Sequence, residues 1–214
     1  MSMGWVQKLI LSLHLCLLIC LLAIMLAMVQ PWIYQRFISD LPNSHGLTRS
    51  EIEENYRRLI VYNLSPSAHK LELQKLEMSA QGRQHFAEVR IIFQRLFWAF
   101  IVAVALLPWS LRTMRKKQNY RPMTYAAWAS LLALALSLLL FLNFDQSFTG
   151  FHKLVFDNDY WLFDPVTDPI ILYLPEEFFL AMAVTIVALL GALSLLFLYA
   201  GHKLRFAKER KPTS

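Results

Sequence analysis

Residues 9–29 read LILSLHLCLLICLLAIMLAMV, twenty-one positions without a charged side chain. A helix rises ~1.5 Å per residue and the hydrocarbon core of a bilayer is ~30 Å thick, so about 20 apolar residues cross it. The run exceeds the ~7–15 residues of a signal-peptide core, and Ala27-Met28-Val29 is a poor small-residue cleavage site. It therefore reads as a retained membrane anchor. Three more spans follow at 91–111, 123–144 and 178–201, with 96–111 free of charge. Aromatic residues suited to the interface lie near each: Trp5 and Trp32, Trp98 and Trp109, Tyr125 and Phe141, Phe179 and Tyr199. Pro108 falls near the end of the second span, where a lost backbone donor is easiest to tolerate.

The composition agrees with this reading. Of 214 residues, 57% are hydrophobic and 17% charged, and mean hydropathy is +0.41. Soluble domains average about 45–50% apolar and about 25% charged. Disorder needs the opposite balance, and six glycines exclude a collagen-like chain. The net charge of +6 would suit nucleic acid if it were spread along the chain. It is not. The N-terminal stub, the 112–122 connector and the C-terminal tail carry eleven Lys and Arg against Glu209 alone, a net of +10. Everything else carries ten Lys and Arg against fourteen acids, a net of −4. The positive-inside rule then places both termini in the cytoplasm. Outer segments 30–90 and 145–177 face the other side. The expected fold is an all-α membrane protein: a single membrane domain over 1–214, with four transmembrane helices and an extracytoplasmic cap formed by the two outer segments. The basic excess is a topology signal, and no nucleic-acid partner is expected.

Cys16 and Cys20 both lie in the first span, so the outer face has no thiol for a disulfide, a metal or nucleophilic catalysis. In the first outer segment, turn residues surround Pro42-Asn43-Ser44-His45-Gly46. Ser50 then precedes Glu51, Glu53 and Glu54, which suits a helix N-terminus. Ile52, Tyr56, Leu59, Ile60 and Asn63 mark one face of a helix over 51–63, which Ser65-Pro66-Ser67 ends. Leu71, Leu73 and Leu76 follow in a mixed, extended pattern. Ser79 can cap a second helix that runs into the second span, with His85, Glu88, Val89 and Ile92 on one face. His85 stands six residues before Ile91, or ~9 Å of helix, near the ester level of the lipid. The second outer segment reads as a self-burying aqueous loop rich in aromatics and acids, from Phe148 through Phe151-His152, Asn158-Asp159-Tyr160-Trp161-Leu162-Phe163-Asp164-Pro165 and Asp168-Pro169 to Leu174-Pro175-Glu176.

Of six histidines, His14 reads as a packing residue within the first span, and His45 and His69 read as surface. His85 and His152 differ. Both lie outside, beside a span, among aromatics and carboxylates. A His near its ordinary pKa of ~6.5 serves as base and acid at neutral pH. Competing nucleophile motifs are missing: there is no Gly-x-Ser-x-Gly elbow and no His-Glu-x-x-His. Asp157, Asp159, Asp164, Asp168 and His152 can supply oxygen and nitrogen ligands to a divalent cation, although turn and capping roles explain those aspartates equally. No metal and no cofactor is expected.

Four elements, in order along nearly the whole chain, resemble the bacterial lipoprotein intramolecular transacylase (Lit) family. They are Asn55-Tyr56 to Tyr62-Asn63-Leu64; His85-x-x-Glu88-Val89-Arg90, where the family pattern is His-x-x-Asp-Val-Lys; the Phe151–Pro169 elements above; and Leu174-Pro175-Glu176-x-Phe178-Phe179. The resemblance implies an acyltransferase of the bacterial cytoplasmic membrane with its active site on the outer face. Its substrate is a diacylated lipoprotein in the lipid bilayer. The sn-2 acyl chain moves from glycerol to the α-amino group of the lipid-bearing N-terminal cysteine, giving lyso-form lipoprotein. The resemblance further implies His85 and His152 as the catalytic pair, by direct aminolysis. Tyr56, Glu88, Arg90, Asp159, Tyr160, Trp161, Asp164 and Asp168 are then supporting or substrate-binding groups. Among them, Asp159 or Asp164 would fix a histidine tautomer, and Arg90 would stabilise an oxyanion or hold a peptide carbonyl. Two other readings stand beside it: a non-catalytic membrane accessory protein, and a metal-dependent lipid-modifying enzyme using the outer aspartates.

Overall fold

The computed structural model describes residues 2–41 and 45–209, the last two by backbone only. The turn expected at Pro42-Asn43-Ser44 and the basic residues Arg210 and Lys211 lie outside the described residues. Among the described residues all regular structure is helical. The order is α1 (Trp5–Met28), α2 (Pro31–Gln35), α3 (Arg49–Leu64), α4 (Ala80–Lys116), α5 (Arg121–Ser137), α6 (Phe144–Val155) and α7 (Glu176–Glu209), with short 3-10 turns between. Four stretches are long and apolar enough to cross a membrane: Trp5–Met28, Ala80–Lys116, Arg121–Val155 and Glu176–Ala207.

The chain forms two compact units. One draws on the chain up to Ala27, on Trp98–Leu139 and on the chain from Thr185. Leu11, Leu15, Ile19 and Ala23 of α1 pack there with Met114, Met123, Ala126 and Leu190. Lipid tails are as apolar as leucine, so helices in a bilayer associate through close packing and polar contacts. Both are present. Ser130 and Ser194 join α5 to α7 at 2.7 Å, one hydroxyl donating to the other while the second donates to a carbonyl of its own helix. Such a bond contributes about 0.6–2 kcal/mol. Gly201 sits where a Cβ would come within 3.1 Å of Met123 Cβ. His14 is a polar staple: Nε2 donates to the Ala103 carbonyl at 2.9 Å, so Nδ1 accepts from the Ser110 hydroxyl at 2.9 Å. Large side chains such as Leu13, Leu17, Trp128, Leu132 and Leu195 stay exposed, as lipid-facing positions should.

The other unit, Met28–Phe97 with Leu140–Val184, carries its own core. Ile33, Tyr34, Ile52, Tyr56, Leu59, Tyr62, Phe86, Ile170, Tyr173 and Phe178 are its main members. Helix α3 begins earlier than the acids suggested. Thr48, not Ser50, is the cap: Glu51 N donates to Thr48 Oγ1, and Thr48 N donates to Glu51 Oε2 at 2.8 Å. A Thr three residues before a Glu satisfies two helix-end donors at once, whereas Ser50 already lies within the helix. Lys75 pairs with the same Glu51 at 2.9 Å and, with the cap bonds, holds its carboxyl down to about 2. Asn55 exchanges two hydrogen bonds with Gln74, at 3.0 and 2.6 Å, and so ties the irregular segment after α3 back onto it. His45 is not simply solvated: its Nδ1 lies 3.2 Å from the Tyr173 hydroxyl.

Helix α4 is capped from two sides. Ser79 Oγ accepts from Gly82 N at 2.9 Å. Asp168, 4% exposed, accepts from Ser79 N at 2.8 Å. A carboxylate at a helix N-terminus stabilises it by about 0.3–1 kcal/mol, and up to about 2 when partly buried. From this start α4 runs unbroken through His85 into its apolar stretch. One expectation fails here. Residues 148–155, read as the opening of an aqueous loop, belong to helix α6, with Asn143 Oδ1 capping the Gln146 amide at 3.1 Å. The aromatic content misled because Phe144, Phe148 and His152 recur every four residues, a helical stripe.

Candidate active site

Helix α4 contributes His85 and helix α6 contributes His152. Both precede or follow the apolar segments 91–111 and 123–144 and are buried, 5% and 9% exposed. Their ring centroids are 5.9 Å apart and the planes 35° from parallel. Phe156 touches both, at 4.8 Å from His85 and 5.7 Å from His152. Phe163 closes on His85 at 5.5 Å, and Phe148 and Trp161 on His152 at 4.2 and 4.8 Å. Phe148 and Phe156 flank His152 at four residues either side, so α6 and its C-cap supply two walls of one enclosure.

The two imidazoles have unequal partners. His152 Nδ1 lies 2.7 Å from the Phe148 carbonyl, which only accepts, so Nδ1 carries the proton and Nε2 is the free base. His85 Nδ1 is buried with no hydrogen-bond partner. Burial pushes the His85 pKa down to about 4, His152 beside it pushes the same way, and the Glu88 carboxylate opposes both. Burial also lowers the His152 pKa, against the Phe148 carbonyl. At neutral pH the pair is uncharged. Trp161 Nε1, a donor only, is likewise buried and unpartnered.

The supporting residues divide. Glu88 stands beside the pair, held by Gln84 Nε2 at 2.9 Å and by Asn158 Nδ2 at 3.1 and 3.2 Å. Arg90, expected on an oxyanion or on a peptide carbonyl of the substrate, is spent on the C-terminus of α3: it donates to the carbonyls of Tyr62, Ser65 and Pro66 and lies over the Tyr62 ring. Asp168 is the cap of α4. Asp164 accepts from Val166 N at 2.9 Å in a local turn, and Asp159 is exposed. Among the described residues neither bonds His85 or His152, and the Phe148 carbonyl fixes the His152 tautomer instead. Tyr160 is exposed. Tyr56 stacks on Tyr34 at 4.0 Å and meets Phe178 edge-on. Its buried hydroxyl has no partner, and burial raises its pKa to about 12. Among the described residues no three of His, Cys, Asp and Glu gather as a metal would need. Phe148, Phe163 and Asn158, quoted only as parts of the second outer segment, and Phe156 and Gln84 received no site role from the sequence. The four-residue spacing around His152 was the available signal for the first two.

A family model described as lipoprotein intramolecular transacylase Lit matches residues 9–179. The in meso structure of the membrane integral lipoprotein intramolecular transacylase Lit from Bacillus cereus is 34% identical, with a TM-score of 0.90 over 96% of this chain and 97% of that one. The same Bacillus cereus protein with its H85R mutation is 34% identical, with a TM-score of 0.83 over 95% and 92% of the two chains. With its H85A mutation it is 33% identical, with a TM-score of 0.84 over 96% and 95%. A search of curated protein sequences returned no match. Two lines of comparison thus agree with an all-helical, multi-pass membrane chain, and the chain belongs to the lipoprotein intramolecular transacylase (Lit) family.

Proposed function

We propose that this protein transfers the sn-2 acyl chain of a diacylglyceryl-modified lipoprotein to the α-amino group of its N-terminal cysteine, by histidine-assisted direct aminolysis. The observation that carries the mechanism is the His152 tautomer. Its Nδ1–H is held on the Phe148 carbonyl, leaving a neutral Nε2 to take a proton. Ester becomes amide, a downhill exchange that needs no nucleotide. Amine and ester sit on one molecule, so holding them in attack geometry can supply a large part of the ~7–11 kcal/mol attributed to proximity.

The amine nitrogen attacks the ester carbonyl, forming the C–N bond and leaving positive charge on nitrogen and negative charge on oxygen. His152 Nε2 removes the proton from nitrogen. The C–O bond to glycerol breaks, and the glycerol oxygen takes the proton. His85 stays neutral and donates a hydrogen bond within the same enclosure. Trp161 Nε1–H, a buried donor with no protein partner, is suited to the developing oxyanion. The charge asymmetry supports cytoplasmic termini and a site on the outer face. On that topology, 9–29, 91–111, 123–144 and 178–201 span one membrane domain.

The test is mass spectrometry of a reporter lipoprotein from cells with and without this protein. The expected product is the lyso form, with its amide-linked chain drawn from glycerol. Unchanged acyl placement sinks the reading. His85→Ala and His152→Ala should each lower turnover by about 10²-fold or more while the protein remains in the membrane. An acyl group trapped on a Ser, Thr or Tyr would refute direct aminolysis.

A further inference from the structure

Beside the histidine pair lies a carboxylate without a counter-ion. Glu88 follows His85 by three residues, so the two side chains leave one face of α4. Gln84 and Asn158 point neutral amide N–H groups at it, and Asn158 reaches both carboxylate oxygens. Among the described residues every ion pair lies elsewhere. The nearby Arg90 is committed to α3. Glu88 is half-buried, and a partly buried carboxylate attracts a cation more strongly than one in open water does. The other acids of the second outer segment do not share this state. Asp157, Asp159 and Asp164 are exposed, and Asp168 is occupied by Ser79 and Thr167.

On the transacylase reading, on which this inference rests, the substrate brings one cation to the site: the α-ammonium of its N-terminal cysteine, with a pKa of ~7.7–8.0. We infer that Glu88 is the receptor for the substrate's free α-amino group, restricting the enzyme to lipoproteins whose N-terminus is unacylated. Glu88 accepts hydrogen bonds from the ammonium on arrival and from the amine once the ammonium has given one proton to water. During attack the nitrogen becomes positive as the C–N bond forms, and the fixed carboxylate stabilises that charge until His152 removes the proton. Glu88 itself neither gains nor loses a proton. An N-acylated cysteine offers one uncharged N–H and no such complement.

The experiment uses the full-length protein and two non-reacting ligands. Both are lipopeptides whose glycerol carries two ether-linked chains, so no acyl group can move. One has a free N-terminus and the other is N-acetylated. The wild type should bind the free-amine ligand about tenfold more tightly. Glu88→Gln should abolish that preference while binding the N-acetyl ligand as the wild type does, which also reports an intact site. Glu88→Asp should keep part of it. Preference retained in Glu88→Gln, or absent in a wild type that binds both ligands, overturns the inference and leaves the transacylase reading standing. A wild type that binds neither ligand overturns both.

Discussion

Asp168 Oδ1 accepts a hydrogen bond from the Ser79 amide at 2.8 Å, and Gly82 lies against the same carboxylate. A Cβ at Gly82 would stand 2.9 Å from Asp168 Cγ and 3.2 Å from Met78 Cγ. The segment before α7 is thereby locked to the first turn of the helix that carries His85.

Gly82→Ala should therefore cost about 1–3 kcal/mol, the usual penalty of overpacking. Asp168→Ala should cost about 0.5–2 kcal/mol through the lost cap. Thermal unfolding in detergent measures both. If Gly82→Ala unfolds like the wild type, the close approach has no energetic weight.

Arg90→Ala distinguishes a structural guanidinium from a catalytic one. Three carbonyls of the α3 terminus lose their donor, so stability should fall by about 1–3 kcal/mol. Turnover per folded molecule should stay within a few-fold. A hundredfold loss of turnover with unchanged stability would return Arg90 to the chemistry.

Trp161→Phe keeps the aromatic wall on His152 and deletes one buried donor. Were that N–H idle, its removal would be neutral or mildly stabilising, since a buried unpaired donor is itself a cost. As an oxyanion contact it should instead lower kcat by about 10–10³-fold with little change in KM. Steady-state kinetics on a diacylated lipopeptide separates the two.

The pH profile follows from the histidines. With its pKa near 4, His85 stays uncharged through the working range. His152 is also depressed below its ordinary value. Near neutrality the group that titrates is the substrate amine, with a pKa of ~7.7–8.0. kcat/KM should rise tenfold per pH unit up to that value, with a steeper fall only where His152 protonates. Stability has its own window. Between about 4 and the unfolded value of 6.5 the unfolded chain holds more protons at His85 than the folded one. Stability is therefore full above that window and is lost as pH falls through it. His85→Phe should flatten this slope in unfolding measurements. An unchanged slope would mean that His85 is not desolvated.

Much of the architecture follows from the amino-acid sequence alone. A bilayer reads hydropathy locally, so four apolar runs determine four membrane-long helices. The Ser79 cap and the His85-to-Ile92 periodicity likewise place one continuous helix, because capping and helical spacing are short-range. The histidine pair was legible as two residues near two spans, but not as a contact.

Side-chain partners were decided elsewhere. Arg90 and Asp168 look like site residues in sequence, yet one holds carbonyls of α3 and the other an amide of α4. A charged side chain goes where unsatisfied backbone groups end up, and those positions exist only once distant helix ends have packed. The same holds at the centre. Residue types specify two imidazoles and a carboxylate, but only the tertiary structure brings α4 and α6 together, turns His152 Nδ1 to a carbonyl, buries the Trp161 donor and leaves Glu88 between two amides without a cation. Proton affinity and ligand preference depend on burial and on the nearest charge, and both are properties of the folded chain.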